Sequence, residues 1–71
     1  MIEEDHMTET IRVNGSDRPL RSPTLDALLY DIGLPREERF FAVALNGAVV
    51  PRARWAATSV RPGDEVEIVR P

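Results

Sequence analysis

Two Asn-Gly pairs, Asn14-Gly15 and Asn46-Gly47, lie on either side of one helical pattern and restrict the folds open to this chain. Asn-Gly is the strongest short-range signal for a β-hairpin, because both residues tolerate the positive φ of a tight turn. Residues 10–14 alternate between apolar and polar, as a half-buried strand does. We expect the return strand at 18–21, and Pro19 places it at a sheet edge because proline donates no backbone hydrogen bond.

The segment between the two hairpins predicts one amphipathic helix. Thr24 is a suitable N-cap, and Gly33 is a suitable residue to end the helix. The apolar stripe that repeats at helical spacing consists of Leu25, Leu28, Leu29 and Ile32. A helix this short has to be stabilised by packing against another element.

The second half of the chain predicts another hairpin and a final strand. Residues 40–45 form the third strand, and the return strand begins at Val49-Val50 and stops at Pro51. Residues 52–59 lack a clean period and read as a loop or short helical turn around Trp55, a packing residue that closes one end of the core. A turn at 61–64 precedes an alternating strand at 65–69.

The predicted order is therefore ββαββ, an α+β class. The simplest packing lays the helix across one face of a mixed sheet. The last strand lies parallel to the first and beside it, because the helical connection covers that face. This is the ubiquitin-like β-grasp fold. We expect residues 1–8 to be an acidic, disordered tail and residues 9–71 to form the domain.

Composition excludes several classes of function. The chain has no cysteine, and no stretch approaches the ~18 apolar residues of a membrane span. Three of its twelve acids lie at Glu3, Glu4 and Asp5, which leaves nine acids against nine cations elsewhere. A near-neutral domain without a basic stripe is not expected to bind nucleic acid or a membrane. We expect a cytoplasmic protein that is monomeric when free.

The stretch from Ala42 to Ala56 resembles the middle of sulfur carriers of the ThiS family. In that family an Asn-Gly turn is followed by Val-Pro-Arg, two variable residues and Trp, as in Val50-Pro51-Arg52 and Trp55 here. The match continues from Val60 to Ile68. It covers nearly everything from residue 10 to residue 71.

The resemblance implies a non-enzymatic sulfur carrier for thiazole formation in thiamine biosynthesis. Its implied partners are a ThiF-type adenylyltransferase and the thiazole synthase ThiG. The sulfur would travel as a thiocarboxylate on a C-terminal glycine. No catalytic, cofactor or metal site is implied within the chain, so neither ATP nor a metal ion is expected to bind it.

The printed sequence departs from that family at its end. There is no glycine after Gly63, and the last residues are Arg70-Pro71. As printed, the chain cannot perform the family's reaction. Either the native tail is missing from this sequence, or the protein is a tail-less homologue that binds the same partners, or Pro71 itself carries the sulfur.

Three other functions remain open from the sequence. The first is a tail-less β-grasp interaction module, and the second is a carrier like the small subunit of molybdopterin synthase. The third is a TGS-like RNA-binding or ligand-binding module, which the near-neutral charge disfavours. Asp64, Glu65 and Glu67 do not predict a carboxylate pair, because Asp64 lies in a turn and the glutamates face solvent.

Strand parity predicts a partner-binding surface. If Val43 and Ile68 face the helix, their neighbours face away from it and form a small apolar patch beside the tail. The expected partner-binding residues are Phe40, Ala42, Ala44 and Val69, with Arg52 at the rim. The expected base of the tail consists of Val69, Arg70 and Pro71.

Overall fold

A computed structural model of the chain describes residues 9–34 and 41–70. The elements are β1 (Thr10–Val13), β2 (Ser16–Pro19), α1 (Leu25–Asp31), β3 (Ala42–Leu45), β4 (Ala48–Val49), a 3₁₀ helix (Arg52–Ala57) and β5 (Glu65–Val69). The five strands form one sheet in the order β2-β1-β5-β3-β4, with β5 parallel to β1 and antiparallel to β3. The predicted mixed sheet and the central position of the last strand are confirmed.

Both hairpins turn on two residues only. Asn14 and Asn46 have φ of 50°, and the glycines that follow them have φ of 83° and 87°. Because each turn is this short, strand pairing restarts at once, with Val13 opposite Ser16 and Leu45 opposite Ala48.

The predicted return strands were therefore placed too late. The first covers Ser16–Pro19 where we expected 18–21, and the second covers Ala48–Val49 where we expected a start at Val49. The reason is the turn length, since we counted Ser16 and Asp17 as turn residues. The prediction that Pro19 lies in an edge strand is confirmed.

The caps of α1 explain where this short helix begins and ends. The Thr24 hydroxyl accepts a hydrogen bond from the Ala27 amide at 3.2 Å, as an N-cap does. At the other end the Gly33 amide donates to the Tyr30 carbonyl and the Leu34 amide donates to the Leu29 carbonyl. This pair of bonds, with Gly33 at φ +95°, is a Schellman motif.

The core lies between α1 and one face of the sheet. Its aliphatic side chains come from β1, α1, β3 and β5 and from the segment before β5, while Phe41 and Trp55 close one end. The buried residues are Ile11, Val13, Leu25, Leu28, Leu29, Phe41, Val43, Trp55, Val60 and Val66. The predicted helical stripe is confirmed, with Ile32 partly buried against this cluster.

The 3₁₀ helix holds Trp55 in place. The Trp55 side chain is 1% exposed, and its indole N–H donates to the Val50 carbonyl at 2.9 Å. Its ring stacks on Phe41 with centroids 5.4 Å apart. The predicted role of Trp55 as a packing residue at one end of the core is confirmed.

Candidate tail base and docking surface

The base of the predicted tail is the end of β5, which lies at the centre of the sheet. Val69 pairs directly with Ala42 of β3, and its side chain is 60% exposed. Arg70 follows and is also exposed, whereas Pro71 lies outside the described residues. A chain that continues from this point leaves the sheet between β1 and β3.

The side chain of Asn14 fixes β5 close to this exit. Its Oδ1 accepts a hydrogen bond from the Ile68 amide at 2.8 Å, and its Nδ2 donates to the Ile68 carbonyl at 3.3 Å. Asn46 does a similar job at the start of the strand, where its Oδ1 accepts from the Glu65 amide at 2.9 Å. The two turn asparagines thus anchor opposite ends of β5.

The sheet face opposite α1 carries an apolar surface next to the exit. On β3, Ala42 lies opposite Val69 of β5, and Ala44 lies opposite Val49 of β4. Residues directly opposite each other in an antiparallel pair share one face. We call Ala42, Ala44, Val49 and Val69 the outer apolar patch.

Val49 is the member of this patch that the sequence reasoning missed. Its side chain is 72% exposed, compared with 60% for Val69. The signal was present in the Asn46-Gly47 pair, because a two-residue turn places Val49 opposite Ala44. Ala42 is exposed and Ala44 is half-buried. Phe40, the remaining predicted apolar member, lies outside the described residues.

Arg52 lies beside the same end of the sheet, but its side chain is engaged with aromatic rings. The guanidinium carbon lies 4.7 Å from the Trp55 ring centroid and 5.5 Å from that of Phe41. Phe41 immediately precedes Ala42, so this stack is next to the strand end that pairs with Val69. A cation over an aromatic face is attractive, and here it also covers the end of the core.

The acidic residues near β5 form no reactive cluster. Asp64 accepts hydrogen bonds from the Arg61 amide at 2.8 Å and from the Asn46 side chain at 3.1 Å, which makes it a turn residue as expected. Glu65 and Glu67 are exposed on the outer face. Over residues 9–34 and 41–70, no group of three His, Cys, Asp or Glu side chains is arranged to hold a metal ion.

The model of the ThiS family matches residues 11–71. The chain belongs to the ThiS family. This confirms the resemblance seen in the sequence, and it makes the chain a small sulfur carrier protein instead of an enzyme.

Among solved structures, the ThiS-family chain is similar to a thiamine biosynthesis protein, ThiS, from Geobacter metallireducens. The two share 31% sequence identity and superpose with a TM-score of 0.71, over 86% of this chain and 91% of the other. No curated protein matches the chain. Family and neighbour together support a sulfur carrier role in thiamine biosynthesis, with interactions to partner enzymes of that pathway.

The part of the chain that the structure describes contains no helix long and apolar enough to cross a membrane.

Proposed function

We propose that this chain carries sulfur for thiazole formation in thiamine biosynthesis, as a thiocarboxylate on a terminal glycine. The observation that carries the proposal is the position of β5 in a ThiS-family domain. β5 lies between β1 and β3, and its pairing with β3 continues as far as Val69, so a tail that follows it would start from the centre of the sheet. The reacting glycine would follow Pro71 in the functional protein.

The proposed chemistry places all reactivity on the chain end and on the partners. A ThiF-type adenylyltransferase transfers AMP from ATP to the glycine carboxylate, and pyrophosphate leaves. Sulfide, supplied by a sulfur donor, then attacks the acyl carbon and AMP leaves, which gives the thiocarboxylate. Glycine suits this role because it has no Cβ to obstruct a narrow channel. The thiazole synthase ThiG would receive the sulfur.

The outer apolar patch is the proposed contact surface for both enzymes. It lies on the same end of the sheet as the tail base, so an enzyme that takes up the tail meets the patch at the same time. Exposed apolar side chains grouped on one face are typical of partner sites. Arg52 would contribute at the edge of this surface, where its aromatic neighbours hold the guanidinium. We further propose that the free protein is a cytoplasmic monomer.

Intact-mass measurement of the protein expressed from its native gene tests this function. We expect a mass that includes residues after Pro71 ending in glycine. Incubation with a ThiF-type enzyme, ATP and a sulfur donor should then add the mass difference of one sulfur for one oxygen. A mass that corresponds to a chain ending at Pro71, with no ATP consumed, would contradict the carrier function. The remaining function would be that of a tail-less interaction module.

A further inference from the structure

A groove opens beside the tail base on the helix side of the sheet, away from the outer apolar patch. It lies between the tip of the first hairpin, the end of α1 and the end of β5. Its apolar lining comes from Val13, Ile32, Leu34 and Ile68. The last three are partly buried side chains that pack against the core, so they present apolar surface in a fixed position.

Two arginines line the same groove. Arg18 lies opposite Ile11, whose side chain is buried under α1, so Arg18 projects on the helix side of the sheet. Arg70 follows Ile68 by two residues and shares its parity. Both side chains line the groove, and both residues are exposed.

One acidic residue, Asp17, also lines the groove, and its carboxylate is ion-paired with Arg12. Asp17 lies opposite Arg12, and their side chains form an ion pair at 3.2 Å on the outer face of the sheet. The described lining of the groove therefore carries two arginines and one carboxylate that is ion-paired with Arg12. An apolar floor with cations at its rim suits a segment that has an apolar side chain and neighbouring carboxylates.

We propose that this groove binds an acidic segment with an apolar anchor, presented by the enzyme that activates the chain terminus. The inference rests on the proposed carrier function. An enzyme that acts on the terminus must approach the end of the sheet where Val69 and Arg70 lie, and the groove opens there. We expect the partner's segment to carry carboxylates, because carboxylates pair with the guanidinium groups of Arg18 and Arg70.

The outer apolar patch and the groove lie on opposite faces of the sheet and would contribute differently to binding. The outer apolar patch offers mainly apolar area, with Glu67 opposite Ala44, and the groove offers two arginines beside the end of β5. Because rim charges act mainly on association rate and salt dependence, the groove would orient the carrier as it meets the enzyme. Screening by salt should weaken this contribution more than that of the patch.

The test compares charge reversals inside and outside the groove. The double variant Arg18→Glu with Arg70→Glu, in the full-length protein with its native terminus, is titrated against a ThiF-type enzyme at low and high salt. We expect roughly tenfold weaker binding at low salt and a smaller difference at high salt. The control is Arg21→Glu with Arg61→Glu, because both arginines are exposed and neither lines the groove.

The outcomes separate this inference from the proposed function. If the wild type binds the enzyme, and the groove variant binds it as tightly as the control variant does, the proposed role of the groove is wrong and the carrier function stands. No binding or adenylation of the wild type would overturn both. Circular dichroism and urea unfolding establish that the variants fold. Saturable shifts of the groove amides with inorganic phosphate alone would assign the groove to a small anion and overturn a protein segment as its occupant.

Discussion

The side chain of Asn14 takes the place of a strand in pairing with Ile68. The Ile68 amide and carbonyl face β1, but β1 ends at Val13 and the chain turns at Asn14. The Asn14 carboxamide supplies the acceptor at 2.8 Å and the donor at 3.3 Å that a longer strand would have offered from its backbone. The same residue makes the tight turn and anchors the tail base, 54 positions along the chain.

Replacing Asn14 by Gly should loosen the end of β5 without opening the hairpin. Glycine accepts the positive φ of this turn, so the change removes mainly the two side-chain hydrogen bonds. We expect the free energy of unfolding to fall by about 1–2 kcal/mol. Hydrogen exchange should become faster at the Ile68 amide.

The matched control is Asn46→Gly, which removes the bond to the Glu65 amide at the start of β5 together with the bond to the Asp64 carboxylate. Its exchange should accelerate at Glu65 while Ile68 stays protected. An Ile68 amide that exchanges at the wild-type rate in Asn14→Gly would show that the side chain does not hold the strand end.

Replacing Val49 by Glu should weaken binding to a ThiF-type enzyme and to ThiG. The side chain is 72% exposed, so the change introduces a charge into the outer apolar patch at a stability cost of about 0.5 kcal/mol or less. We expect a loss of affinity of roughly tenfold or more, because the charge must be desolvated in the complex. Isothermal titration measures it.

Tyr30→Glu is the control for that variant. Tyr30 is 74% exposed and belongs to α1, on the opposite side of the sheet. It should bind both enzymes as the wild type does. Ala44→Glu tests the same patch, but it sets a second carboxylate opposite Glu67, so its stability needs to be measured beside its affinity. Equal affinities for all three variants would remove the patch from the interface.

Replacing Trp55 by Phe should destabilise the domain by about 1–3 kcal/mol. The change deletes the indole N–H that donates to the partly buried Val50 carbonyl, so this hydrogen bond is lost. It also reduces the ring surface under Arg52. Urea unfolding followed by circular dichroism gives the value, because Trp55 is the only tryptophan and cannot serve as a common fluorescence probe.

Arg52→Ala separates the two contributions. It removes the guanidinium from both rings and leaves the indole hydrogen bond in place, so we expect a smaller loss of about 0.5–1 kcal/mol. A larger effect for Arg52→Ala than for Trp55→Phe would mean that the cation, and not the indole N–H, holds the 3₁₀ helix.

Local signals in the sequence were enough for most of the fold. Asn-Gly pairs, a capped apolar stripe and an alternating final strand led to the β-grasp arrangement, because each depends on neighbouring residues only. The return strands were misplaced because turn length was not taken from Asn-Gly itself. Because the second return strand was not paired with the third residue by residue, Val49 was not recognised as the neighbour of Ala44 and was left out of the predicted patch.

The long-range contacts were beyond reach from the sequence. Nothing near Asn14 indicates that its side chain pairs with Ile68, since the contact exists only once β5 lies beside β1. Similarly, Arg18 and Arg70 are separated by most of the chain and come to one groove only through the sheet order. Arg52 was expected as a rim residue, and its packing over Phe41 and Trp55 depends on a 3₁₀ helix that has no clear period.

The parallel pairing of β1 and β5 has a mechanical consequence. The chain enters β1 at one end of the sheet and leaves β5 at the other. Tension on the two termini therefore runs along both strands and loads their cross-strand bonds together in shear, where an edge hairpin would peel open one bond at a time. A pull on the end of β5 against the start of β1 is therefore resisted by several hydrogen bonds at once.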